Sequence, residues 1–141
     1  MGEHVAEPTG HNPEPSGNDQ SLYDRVGGMA FFEVLVDRFY DGVVNDPVLA
    51  PMYPAEDLPG ARRRLTLFLA QYWGGPAIYS DERGHPRLRM RHARFPIDDE
   101  ARLAWLGHMG RAVADAGLQP REEAELSGYL AAAAAHLQNL P

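Results

Sequence analysis

His92 sits in the run His85-Pro86-Arg87-Leu88-Arg89-Met90-Arg91-His92-Ala93-Arg94-Phe95. Leu88, four residues before it, and Phe95, three after, share its side of a short helix. The imidazole is thus presented from an apolar wall, which suits a neutral nitrogen donor to iron, and above all an axial ligand to haem. Arg87, Arg89 and Arg91 stand beside it, where two haem propionates would need charged partners; guanidinium–carboxylate pairs are strong and directional. A solvated basic face is the plainer reading of these arginines. Trp105, thirteen positions after His92, and the upstream Tyr40 and Tyr53 are hydrogen-bond donors on otherwise apolar helical stretches. A buried indole N–H or phenol O–H must find a partner. Aimed at a diatomic ligand that draws negative charge from iron, such donors stabilise it, the more so in a low local dielectric. Taken singly, each aromatic is core packing; a shared network satisfies all three.

The other histidines carry less. His4 and His11 lie in a polar N-terminal stretch, His85 precedes a proline in a loop, and His108 and His136 fall at ordinary positions of long helices. The chain has no cysteine, which excludes disulfides, thiolate metal sites, Fe–S clusters and cysteine nucleophiles. A net charge of −7 argues against nucleic acid as a main partner. No apolar run approaches the ~20 residues of a membrane span, and the acidic N-terminus lacks the apolar core of a secretory signal. A cytoplasmic protein is the expectation.

These residues need elements to position them. Residues 1–20 are rich in proline, glycine and acids and read as a disordered tail, with a partner-binding role as the alternative; residues 21–141 read as one all-α domain. Ser21-Leu22-Tyr23-Asp24 starts a short helix that Gly27-Gly28 ends. A helix from about Met29 to Asn45 carries the stripe Phe32, Leu35, Val36, Phe39, Tyr40 and Val43. Asp46-Pro47 and Asp57-Leu58-Pro59 each read as an N-cap with proline in the first turn. The helix opened by Asp57 runs through Leu65, Phe68 and Tyr72 to Gly74-Gly75-Pro76. Residues 75–85 read as loop. A short helix after Pro86 carries His92, and Pro96 breaks it. A long helix from Ile97-Asp98 bears Leu103, Trp105, Leu106, Met109 and Val113. The last helix opens at Pro120 with acids in its first turn and runs to about Asn139.

With these elements in place the chain resembles the group II truncated haemoglobins of actinobacterial type. The resemblance covers roughly Leu22 to Asn139. It is carried by Phe39-Tyr40, the segment Leu49 to Leu58 (LAPMYPAEDL), Phe68 to Pro76 (FLAQYWGGP), Gly84 to Ala93 (GHPRLRMRHA), the segment with Trp105, and the paired glycines 27-28 and 74-75. It implies a shortened globin fold, two antiparallel helix pairs crossing around haem b. By similarity His92 is the proximal ligand, Trp105 the distal indole, Tyr40 the usual distal tyrosine, and Tyr53 marks the tyrosine-bearing subgroup. Ala61 falls where ordinary globins place a distal histidine; its methyl cannot donate, so that duty passes to Trp105 and the tyrosines. Leu65 and Phe68 are expected on the haem face, one and two turns further along that helix. Leu88, Arg89, Arg91, Phe95, Trp105 and Met109 complete the expected cofactor contacts. The long N-terminal tail and the smooth run Ala131–Ala135 depart from the family pattern.

Three functions compete at this point. One is a protein that binds dioxygen, and also carbon monoxide or nitric oxide, for transport or storage. The alternative is a haem enzyme, peroxidase-like or oxidising nitric oxide, which needs a separate reductase because no flavin or nicotinamide domain is present. The third is a cofactor-free helical interaction module. A homodimer is compatible with all three.

Overall fold

Stop signals and apolar stripes alternate along the chain, and helices form between the stops. The computed structural model describes residues 20–93 and 95–141. Its helices are α1 (Leu22–Val26), α2 (Met29–Val43), α3 (Leu58–Tyr72), α4 (Ile78–Arg83), α5 (Leu88–His92), α6 (Asp99–Ala114) and α7 (Pro120–Leu137). Two 3-10 turns, Ala50–Met52 and Ala55–Asp57, link α2 to α3. No strand occurs among the described residues. The expected tail lies outside them except for Gln20, whose carbonyl accepts a bond from Arg25.

α2 is the centre of the fold. Its stripe of Phe32, Leu35, Val36, Phe39, Tyr40 and Val43 is buried, as its spacing predicts. Each large side chain so covered contributes ~1.5–3 kcal/mol. α2 packs against α3 and α6, and α6 packs against α7, so the pairs α2/α3 and α6/α7 meet across α2 and α6. No helix among the described residues is long and apolar enough to cross a membrane.

Local chemistry sets the boundaries. The Ser21 hydroxyl accepts from the Asp24 amide at 3.2 Å. The Asp46 carboxylate accepts from the amides of Val48 and Leu49 at 2.8 and 3.3 Å, as an N-cap should. Gly74 has φ +107, and a Cβ there would lie 2.5 Å from the Ser21 Cβ. The turn after α3 therefore docks on the start of α1, where the Tyr23 amide donates to the Trp73 carbonyl at 3.0 Å.

Three expectations need correction. Residues 78–83 are helical, not loop. A six-residue helix is too short to stand alone; this one is held by α3. Tyr79 is buried and meets Phe68 edge to face at 5.6 Å, while the Gln71 amide takes the Ser80 amide and donates to its hydroxyl. Asp57 does not cap α3 with its side chain. Its backbone (φ −99, ψ −3) is already near-helical because the 3-10 turn runs into α3, whereas a capping residue must be extended. Its carboxylate pairs instead with Arg64 at 2.7 Å. Leu103 is 58% exposed rather than part of the inner stripe of α6, which is made by Ala101, Met109, Ala112 and Val113. The ends of α2 and α7 fall two residues short of expectation, at Val43 and Leu137, within the usual fraying.

Candidate functional site

α5 has only five residues and depends on its surroundings for stability. Arg91 supplies much of that support. Its guanidinium donates to the carbonyl of Pro86 at 2.7 Å and to those of Arg83 and His85 at 2.8 and 3.3 Å. These bonds tie α5 to the end of α4. Arg87, at the start of α5, takes a left-handed conformation with φ 46. Arg87 and Arg89 are exposed, and Leu88 is buried. From the other side Asn139 closes the segment after α5. Its amide nitrogen donates to the Phe95 carbonyl at 2.9 Å and to the His92 carbonyl at 3.4 Å, and its oxygen accepts from the Ile97 amide at 2.9 Å.

Between these anchors stands His92. Its Nδ1 donates to the Leu88 carbonyl at 2.7 Å, which fixes ring heading and tautomer. Nε2 then carries the lone pair, and no protein group bonds it among the described residues. Burial pushes the imidazole pKa below its ordinary value, partly opposed by the bond to Leu88. The ring is thus kept neutral, as a metal ligand must be. Phe95 lies beside it, ring centroids 6.3 Å apart. No group of three or more His, Cys, Asp or Glu able to hold a metal ion exists among the described residues. A single half-buried imidazole is too little for a bare ion, which needs several protein ligands. It is enough for iron already held by four ring nitrogens. The residues present therefore fit haem.

The donors come from three other places: Tyr40 from α2, Tyr53 from the end of the first 3-10 turn, Trp105 from α6. Phe39 joins them. Its ring meets Tyr40 at 4.9 Å and Trp105 at 5.2 Å, and Tyr40 meets Tyr53 at 5.4 Å, all edge to face. The Trp105 indole faces the Tyr53 hydroxyl and partly opposes the effect of burial on it. Burial raises the Tyr40 phenol, aided by Tyr53, and pushes Tyr53 up to about 12. Arg62 covers the outer face of the Tyr40 ring, 5.3 Å from its centroid, and pairs with Asp37 at 3.0 Å. Ala61 is buried, Leu65 half-buried, and Phe68 and Met109 buried. Phe68 packs against Tyr72 and Tyr79 rather than against the Tyr40 group.

Some of this escaped the sequence. Asn139 looked like a helix end. His108 looked like an ordinary helical residue, yet its Nε2 lies 2.6 Å from the Asp46 carboxylate. Gly42 inside α2 was the available signal for it: a Cβ there would lie 2.3 Å from His108 Nδ1.

Comparison with known proteins places the chain in a family. Residues 21–139 match the family described as bacterial-like globin. A group 2 truncated hemoglobin of Bacillus subtilis is 42% identical over 117 residues, 83% of this chain and 87% of that protein. Among solved structures, the thermostable hemoglobin of the actinobacterium Thermobifida fusca is 53% identical with a TM-score of 0.84, covering 86% of this chain and 99% of its own. A truncated oxygen-avid haemoglobin from Bacillus subtilis is 40% identical with a TM-score of 0.80, covering 85% and 100%. The chain belongs to the bacterial-like globin family as a truncated haemoglobin of group II type, which binds small diatomic ligands through haem.

Proposed function

We propose that this protein binds dioxygen tightly and releases it slowly, through haem b ligated by His92. The clustering of Tyr40, Tyr53 and Trp105 around Phe39 carries this reading, because edge-to-face contacts hold three donors in one preorganised group. When bound, the haem supplies an iron at which a diatomic ligand adds. The protein does the rest. His92, held by its bond to Leu88, would give its other ring nitrogen to the iron. Leu65, Phe68, Leu88, Phe95 and Met109 would enclose the macrocycle and keep water away. Arg89, exposed on α5, would pair with a propionate, while Arg91 holds α5 in place. Trp105, Tyr53 and Tyr40 would direct N–H and O–H groups at the negative end of the ligand. Tyrosine phenols are protonated at neutral pH, and burial raises these two further. The absence of cysteine excludes thioether attachment of the haem. The oxygen-avid relative from Bacillus subtilis supports the same assignment.

The test is stopped-flow dioxygen release from the wild type and from Trp105→Phe. A buried hydrogen bond to a charged group is worth ~1.5–3 kcal/mol, so release should quicken by one to two orders of magnitude. An unchanged rate would remove the indole from this role. Turnover of peroxide or nitric oxide with a protein reductase, far faster than autoxidation, would instead favour the enzyme reading.

A further inference from the structure

We propose that Asp46 and His108 form a strut that sets Tyr53 against Trp105, so that His108 is a positioning residue for ligand binding. The inference deepens the proposed function and rests on it. Its geometry is a chain of contacts from Tyr53 back to α6. Tyr53 lies outside any α-helix, at the end of a three-residue 3-10 turn, so no helix fixes its heading. An unbroken series of bonds leads back from it: the Tyr53 amide to the Ala50 carbonyl at 3.0 Å, then the Ala50 amide to the Asp46 carbonyl at 2.8 Å. One oxygen of the Asp46 carboxylate holds the amides of Val48 and Leu49. The other accepts from His108 Nε2 at 2.6 Å, with both side chains only 16% exposed. His108 lies three residues after Trp105, on the same face of α6. The turn is thus fastened to α6 by the pair Asp46 and His108, one helical turn from Trp105, whose indole faces Tyr53.

Two further observations argue that the imidazole is there to hold the carboxylate rather than to fill space. Gly42 clears the room: any larger residue at 42 would place its Cβ 2.3 Å from His108 Nδ1. Moreover, Nδ1 is buried with no partner. With Nε2 donating to the carboxylate, Nδ1 is left facing α2 with its hydrogen-bonding capacity unused. A leucine would pack there without burying an unsatisfied atom.

The strut makes a specific claim about substitutions. His108→Leu, Asp46→Asn and Gly42→Ala should each alter the Trp105 indole environment and quicken ligand release, whereas His108→Gln, which keeps an N–H at the position of Nε2, should restore much of both. Gly42→Ala is informative because alanine is the better helix former and would otherwise strengthen α2. Three readouts apply to full-length protein. The first is the indole N–H resonance of Trp105 in the nitrogen–proton spectrum, assigned with Trp105→Phe and read with and without haem. The second is the C–O stretching band of the carbon monoxide complex, which senses distal donors. The third is the dioxygen release rate, expected to rise roughly two- to tenfold. Arg25→Gln, which removes ion pairs to Glu122 and Glu125 elsewhere in the fold, controls for loss of stability alone. Shifts in the indole resonance and the C–O band in the strut variants, with rescue by glutamine and none in the control, support the proposal. An indole resonance and C–O band unchanged in folded Asp46→Asn and Gly42→Ala overturn it, whatever His108→Leu does. If the wild type takes up no haem, the functional reading fails, and the indole resonance without haem still decides whether the strut positions Trp105.

Discussion

The rings of Tyr40 and Tyr53 meet edge to face, 5.4 Å apart with an interplanar angle of 85°. The Tyr53 hydroxyl faces the Trp105 indole, and Phe39 meets both Tyr40 and Trp105 edge to face. The three residues thus act as one group, and their effects on ligand release should not add. Tyr53→Phe removes the hydroxyl that faces the indole and with it one O–H donor. We expect it to change dioxygen release by less than Trp105→Phe, and the double variant to fall short of the sum by roughly 0.5–3 kcal/mol. Stopped-flow release rates for the four proteins in the cycle measure this. Strict additivity would mean that the two side chains act on the ligand independently.

Arg91 stabilises α5 through three carbonyls rather than by reaching solvent. Arg91→Ala should therefore free the segment that carries His92. Haem transfer to an excess of an apoglobin acceptor should quicken by roughly tenfold, the usual scale when a group supporting a metal ligand is lost. Arg89→Ala, on an exposed side chain, should change it less. A larger effect at Arg89 than at Arg91 would reverse these two assignments.

The Asp46 carboxyl is held below its ordinary value of 3.8, first by the His108 hydrogen bond and then by the amides of Val48 and Leu49. A carboxyl depressed on folding gives stability that is fully present above the unfolded value and is lost as pH falls through the folded one. Urea midpoints taken from about pH 5 down to about pH 2 should therefore fall less steeply in Asp46→Asn than in the wild type. Parallel profiles would show that the carboxylate is not held in this way.

Gly74 combines φ +107 with a close approach to Ser21. Gly74→Ala meets both penalties at once, left-handed backbone and a Cβ clash at 2.5 Å. A loss of about 2–3 kcal/mol follows. Gly110→Ala, where nothing lies within 4 Å, is the contrast and should be neutral or stabilising. Thermal unfolding of both variants checks the pair.

The sequence revealed most where periodicity and punctuation agree. The α2 stripe is all buried, and Gly27-Gly28 and Gly74-Gly75 turn the chain where expected, because helix period and positive φ are local properties. The site was legible as residue types: an imidazole on an apolar wall and three donors on apolar stretches. What fixes their geometry was not. The bond of His92 to Leu88 is local and could be anticipated from helix spacing. The bonds of Asn139 to the segment after α5, and of His108 to Asp46, join residues distant in sequence, and nothing in their neighbours announces them. Helix α4 was missed for the same reason. Its residues gain helical order only by packing Tyr79 on Phe68 and hydrogen-bonding Ser80 to Gln71.

The most direct test of the whole account is the absorption spectrum of the purified protein, oxidised, dithionite-reduced and then exposed to carbon monoxide. A Soret band that shifts with carbon monoxide, and that is lost in His92→Ala until imidazole is added, is the result predicted for a haem held by this residue. A protein that stays colourless and takes up no added haemin, or a Soret band untouched by His92→Ala, would contradict it.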